Sequence, residues 1–184
     1  HHILVAVSAM ALLQEYQPTD AEIKHKQDII NFINQYPNCF DRSLEIGHIT
    51  ASVWLLNKDR SKSLLMHHNK LDMWVQLGGH CDGNPNVLEV AIKEAQEESG
   101  IENIIPMDNK IFDIDIHLVP DYKNVKSHYH YDIRFLLQVN SNENFVQNSE
   151  SKELRWVGKN ISDLPTEEPT IIRLFNKWLE ITKI

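Results

Sequence analysis

Cysteine is nearly absent: Cys39 and Cys81 are the only two in 184 residues. They form no CxxC spacing, so no disulfide framework is available and a reducing, cytoplasmic setting is expected. Positive charge is also short. Lys and Arg number 18 against 26 Asp and Glu, a net charge of -8 at pH 7. That balance argues against a nucleic-acid partner, because backbone phosphates are held by clustered Lys and Arg. An acidic protein that handles phosphates must bring its own cations. No apolar run is long enough to span a bilayer, and Ile3 to Leu13 falls well short. With no basic residue before that run and no clear cleavage pattern after it, it reads as an N-terminal helix packed on the domain, not a signal peptide. No membrane partner is expected. The leading His1-His2 look like the remnant of an expression tag. Repeats and long linkers are missing as well, so residues 1–184 are expected to form one domain. Its length and 42% hydrophobic content suit a sizeable core.

What is present is an alternation of helical and extended patterns. Residues 21–35 carry Ile23, Ile29, Ile30, Phe32 and Ile33 after a Pro18-Thr19-Asp20 cap signal, and Pro37-Asn38 ends the helix. This helical preface, 1–40, could cover a sheet edge, line a pocket or build a homodimer. Strands are predicted at 49–56, 63–66, 74–77, about 111–119, 128–139 and 154–157, and a closing helix at 166–181. Strands interleaved with a few helices fit an α/β class with a mixed sheet covered on both faces.

The chain is organised around one turn and helix. Gly78-Gly79-His80-Cys81-Asp82-Gly83-Asn84-Pro85-Asn86 leads into 87–101, with Asn84 as the expected cap and Gly100 as the stop. Leu88, Ala91, Ile92 and Ala95 supply a buried stripe. Glu94, Glu97 and Glu98 share a face at i, i+3 and i+4. Three such carboxylates repel one another unless a cation sits among them, and carboxylates are hard donors suited to Mg²⁺ or Mn²⁺.

This segment resembles the Nudix box, G-x5-E-x7-R-E-U-x-E-E-x-G-U with U apolar. Counted from Gly79, the matches are Glu94, Ala95, Glu97, Glu98, Gly100 and Ile101, over 78–101. Pro85 stands where the box has its first Glu, and Lys93 where it has Arg. Those two box residues pair with each other in the family, so Asp82 to Lys93 is the expected substitute brace. The resemblance implies an α/β/α Nudix sandwich with an added N-terminal helical segment. It also implies a metal-dependent hydrolase that cleaves a diphosphate in a nucleoside diphosphate linked to another moiety. Glu97 and Glu98 would be metal ligands, Glu94 a ligand or base, and the carbonyl of Gly78 a further ligand. His80, beside the glycine pair, could reach the metal or a phosphate. Glu150 or Glu153 could supply the extra carboxylate that many members carry near this point. The expected partner is a small nucleotide or another diphosphate.

A second constellation is His128-Tyr129-His130-Tyr131-Asp132-Ile133-Arg134-Phe135. Strand alternation puts His128, His130, Asp132 and Arg134 on one face, successive members about 6.5–7 Å apart. Four ionisable side chains on one face need partners or a ligand. They are expected to bind substrate phosphates, through Arg134 above all, or to ligate a second, softer metal. Cys81 reads as a small packed residue, since nothing nearby in sequence marks an activating base.

Two other functions compete. Isopentenyl-diphosphate isomerases share the fold and a Gly-His turn with a metal-binding His, but Gly78 occupies the place of their reactive cysteine. A non-catalytic Nudix-like sensor of nucleotide or metal is suggested by Pro85 and Lys93, and opposed by the intact Glu cluster.

Overall fold

The computed structural model describes residues 8–181. His1-His2 and the first part of the apolar stretch 3–13 lie outside them. The remainder of that stretch forms α1, Ala9–Glu15, where Ser8 Oγ accepts the Ala11 N–H at 3.1 Å as an N-cap should. A 3-10 turn, Asp20–Glu22, opens on a Thr19 capping box and leads into α2, Ile23–Gln35. Then come β1, Gly47–Leu56; β2, Ser63–His68; β3, Met73–Val75; β4, Leu77–His80; α3, Val87–Ser99; β5, Ile104–Val119; β6, His128–Val139; β7, Ser151–Val157; and α4, Pro169–Ile181. The fold is α/β. The strands are hydrogen-bonded in the order β3-β2-β1-β6-β5, with β4 on β1 and β7 on β2.

Three local readings needed revision. The stretch 74–77 is not one strand. It is divided at Gln76 because the chain changes partner there: β3 pairs with β2, and β4 with β1. Strand β5 starts at Ile104, well before 111. Pro106, Asp108 and Asn109 read as breakers, but β5 ends the strand order, where a residue lacking an N–H breaks no ladder. The cap of α3 is Asn86, not Asn84: Asn86 Oδ1 accepts the Glu89 N–H at 3.2 Å, while Asn84 Oδ1 shapes the turn before it at Asn86 N, 3.0 Å.

The chain resolves into two compact units. One comprises residues up to Ser52, Gly79–Ala91 and Asp108–Phe135; the other comprises Val53–Gly78, Ile92–Met107 and Leu136 onward. In the first, Leu12, Leu13, Ile29, Ile49, Ile114, Ile133 and Phe135 are buried. Phe32 of α2 stacks on Tyr131 of β6 with ring centroids 4.0 Å apart. The carboxylate of Glu22, 2% exposed, takes the Tyr16 hydroxyl at 3.0 Å and the Thr19 N–H at 3.0 Å. In the second unit, Ile171, Leu174, Phe175 and Trp178 form the buried stripe of α4. Trp178 meets Trp54 of β1 at 6.0 Å and Phe175 edge-on at 5.9 Å. Here β2 is paired antiparallel with β3 on one side and β7 on the other.

Candidate functional site

The acidic residues of α3 lie in the second unit. Glu98 is 5% exposed, Glu94 is half-buried and Glu97 exposed. A buried carboxylate must have a partner, and Glu98 has one: Gly78 N donates to its Oε1 at 2.7 Å. That bond ties the glycine turn to the helix and leaves Oε2 to a ligand. Burial pushes the Glu98 carboxyl up to about 8, against the Gly78 N–H, and the charges of Glu94, Glu150 and Glu97 push it further the same way. Lys93 stands 3.9 Å from Glu97, with both side chains largely exposed.

Glu150 reaches this cluster because its loop is tied to the end of α3. Val146 N donates to Ser99 O at 2.7 Å, and Asn148 Nδ2 to Glu97 O at 3.2 Å. Gly100 makes the approach feasible. Its φ of 72° suits glycine, and a Cβ there would lie 2.7 Å from Val146 Cβ. Glu153 points to other work, its carboxylate 2.7 Å from Arg155 Nε. The donor set fits a divalent cation: hard carboxylate oxygens beside one buried acid that keeps its proton at pH 7 and would yield it to a cation.

The first unit holds the other predicted residues and places them in two layers. Asp132 and Arg134 are each 1% exposed. Asp132 accepts from Thr50 Oγ1 at 2.8 Å, Ser52 Oγ at 2.7 Å and Arg134 Nε at 2.8 Å. Arg134 Nη1 reaches Asp113 at 3.0 Å and Nη2 reaches Asp115 at 3.5 Å. Burial pulls the guanidinium down, yet the charges of Asp132, Asp113 and Asp115 outweigh it and hold it above its ordinary value. Each nitrogen of Arg134 therefore sits on a carboxylate, which is the work of a buried structural ion pair, not of an open phosphate clamp.

His128 and His130 lie beyond that network and meet other histidines. Their Nε2 atoms are 3.2 Å apart. The His48 ring of β1 is 4.9 Å from each of theirs and 5.1 Å from that of His80. His80 and His117 stand edge-on to His130 at 5.2 and 5.4 Å. Burial holds His80 down at about 4 and His130 at about 2, neighbouring charges adding to it, and burial lowers His48 too. His80 and His130 are therefore neutral at pH 7. Asp82 pairs bidentately with Arg42, at 2.7 and 2.9 Å, so the turn is braced from the segment before β1. Cys81 is buried.

Sequence reasoning missed His48, His117, Asp113, Asp115, Thr50 and Ser52. The signal was there: β1 reads His48-x-Thr50-x-Ser52 and β5 reads Asp113-x-Asp115-x-His117, each a polar alternation like that of β6. Three strands with polar groups at alternate positions satisfy one another only if they are neighbours.

The NUDIX domain family matches residues 47–178. No curated protein matches the chain in sequence. Among solved structures, the chain is similar to an Ap4A hydrolase binary complex from C. elegans, at 16% identity over 73% of this chain and 97% of that one, with a TM-score of 0.57. A NUDIX-family hydrolase from Clostridium perfringens is 26% identical over the same shares, TM-score 0.54. An ADP-ribose pyrophosphatase from Streptococcus suis is 20% identical over 74% and 92%, TM-score 0.53. Among the described residues, no helix is long and apolar enough to cross a membrane.

Proposed function

The chain belongs to the Nudix family of hydrolases acting on acid anhydrides, and on that premise we propose that it cleaves the diphosphate of a nucleoside diphosphate linked to another moiety, with Mg²⁺ or Mn²⁺ held by Glu94, Glu97 and Glu98. The observation that carries this reading is the state of Glu98: 5% exposed, fixed by the Gly78 N–H at 2.7 Å, with the charges of Glu94, Glu97 and Glu150 acting on it. Such an arrangement is costly when empty and favourable around a cation. A divalent ion bound there supplies charge neutralisation for a diphosphate and lowers the pKa of water.

The chain's own residues divide the remaining work. Glu98 holds the glycine turn in register with α3, so the backbone approaches the phosphates at Gly78 and Gly79 without a Cβ between them. Glu94, half-buried, and Glu97, exposed, complete the carboxylate set. Glu150, carried by the loop strapped to the helix end, is the further carboxylate available to orient water or a second ion.

The test is a panel of nucleoside diphosphate derivatives and dinucleoside polyphosphates, including ADP-ribose and Ap4A, each with Mg²⁺ and with Mn²⁺. At least one should be hydrolysed in a cation-dependent reaction. Glu97→Gln should abolish that reaction while circular dichroism and thermal unfolding stay those of the folded protein. Full activity in the folded variant refutes the assignment.

A further inference from the structure

We propose that His48, His128 and His130 form a nitrogen-donor site for a borderline divalent cation of the Zn²⁺ class, with at least one coordination position left open. The inference lies wholly in the first unit and does not depend on the hydrolytic reading.

Its basis is the direction of the ring nitrogens. The Nδ1 atom of His128 lies 2.8 Å from the carbonyl of Lys126, and that of His48 lies 3.4 Å from the carbonyl of Leu44. A carbonyl only accepts, so a ring nitrogen facing one must carry a proton, and in each ring that directs Nε2 away from the backbone as the nitrogen left to bind a metal. Metal-ligating histidines are oriented in this way by their second nitrogen. His48 is 4% exposed, yet its Nε2 has no hydrogen-bond partner. Buried polar atoms are almost always paired, and an orphaned lone pair is a request for a ligand.

The spacing agrees. One nitrogen from each of the three rings lies within 4.8 Å of the others. The 3.2 Å between the Nε2 atoms of His128 and His130 is close to the roughly 3.3 Å that separates two ligands of a tetrahedral ion at about 2.0–2.1 Å. Donor chemistry selects the ion. Imidazole suits Zn²⁺, Co²⁺, Ni²⁺ or Cu²⁺, whereas Mg²⁺ and Mn²⁺ prefer oxygen. The nearest carboxylate on the same strand, Asp132, is taken by Thr50, Ser52 and Arg134. Three histidines and an open position are the ligand set of exchangeable or reactive zinc, not of a closed structural site.

The experiment is a Co²⁺ titration of the chelator-stripped full chain in excess Mg²⁺, which occupies oxygen sites. Visible d–d bands of nitrogen-ligated Co²⁺ should grow to one equivalent and vanish on addition of Zn²⁺. They should persist when His1 and His2 are both replaced by Ala, which removes the terminal pair as a source, and in Glu97→Gln. His48→Ala and His130→Ala should each weaken binding by more than about a hundredfold, beyond the effect of losing an outer partner alone. Should a variant fail to fold, His130→Asn takes its place, and the wild-type titration still decides. No bands in the wild type, or bands that survive both His48→Ala and His130→Ala, overturn the proposal.

Discussion

Replacing Glu98 by Gln should stabilise the metal-free protein and abolish its response to Mg²⁺. The carboxyl is 5% exposed and held at about 8 against 4.5 in the unfolded chain, burial being the main cause. Below pH 4.5 it is protonated in both states and contributes no difference. From 4.5 to 8 the unfolded chain releases the proton and the folded chain keeps it, so the unfolded state binds fewer protons and stability falls as pH rises. Above 8 the penalty is constant. At about 1.4 kcal/mol per pH unit, the loss at pH 7 is on the order of 3 kcal/mol. Gln cannot ionise, and its side-chain carbonyl can still accept the Gly78 N–H. In chelator at pH 7 the variant should therefore melt about 6–12 °C above the wild type, the gap closing as pH falls to 4.5. Adding Mg²⁺ at a hundred times its Kd should raise the wild type by about 2.7 kcal/mol and leave the variant nearly unmoved. The assay is thermal unfolding from pH 4.5 to 9, with and without cation. A variant no more stable than the wild type at pH 8 in chelator refutes the buried-acid argument, and an equal gain from Mg²⁺ in both removes Glu98 from the ligand set.

Other perturbations test neighbouring parts. Arg134→Met takes the guanidinium away from the buried carboxylates of Asp132 and Asp113 and should cost about 3–5 kcal/mol in urea unfolding, far more than Arg42→Ala, whose ion pair with Asp82 is more than half exposed on both sides and is worth at most about 1 kcal/mol. Gly100→Ala meets a φ of 72° and Val146 Cβ at 2.7 Å; it should lose more than about 1 kcal/mol, and activity should fall further than stability as the Glu150 loop shifts. Glu150→Gln removes a charge that raises Glu98, so the pH midpoint of the Glu98 stability effect should move down, read from the same unfolding series.

The sequence made some features legible because one local rule governed them. Strand β6 runs from His128 to Val139 as alternation and its bounding polar loops suggested, and α3 stops before Gly100 because that residue can take the left-handed conformation. The helix-face argument brought Glu94, Glu97 and Glu98 together without any tertiary knowledge, since i, i+3 and i+4 are neighbours on any helix. What could not be read was which strand lies beside which. Arg134 on a strand with two histidines looks like a phosphate ligand until β1 and β5 are known to bracket β6. Asp113 and Asp115 from one side, and Thr50 and Ser52 from the other, then consume the charge.

The same ignorance hid His48. Alone in sequence it has no motif, and only strand order puts it against His128 and His130. The distinction that results is chemical. Asp132 and Arg134 meet partners from both neighbouring strands and become internal structure, whereas the histidines one and two steps earlier on β6 meet other imidazoles. A carboxylate opposite a guanidinium neutralises it; an imidazole opposite an imidazole can share at most one proton and leaves a lone pair over. One strand face thus runs from a self-satisfied ion network to a set of donors in want of an acceptor. It follows that Asp132→Asn should disturb stability and leave Co²⁺ stoichiometry intact, while His48→Ala should do the reverse, removing the ion and, with it, an orphaned buried nitrogen. If both variants lost stability and Co²⁺ together, the two layers would be one network and the division drawn along β6 would be wrong.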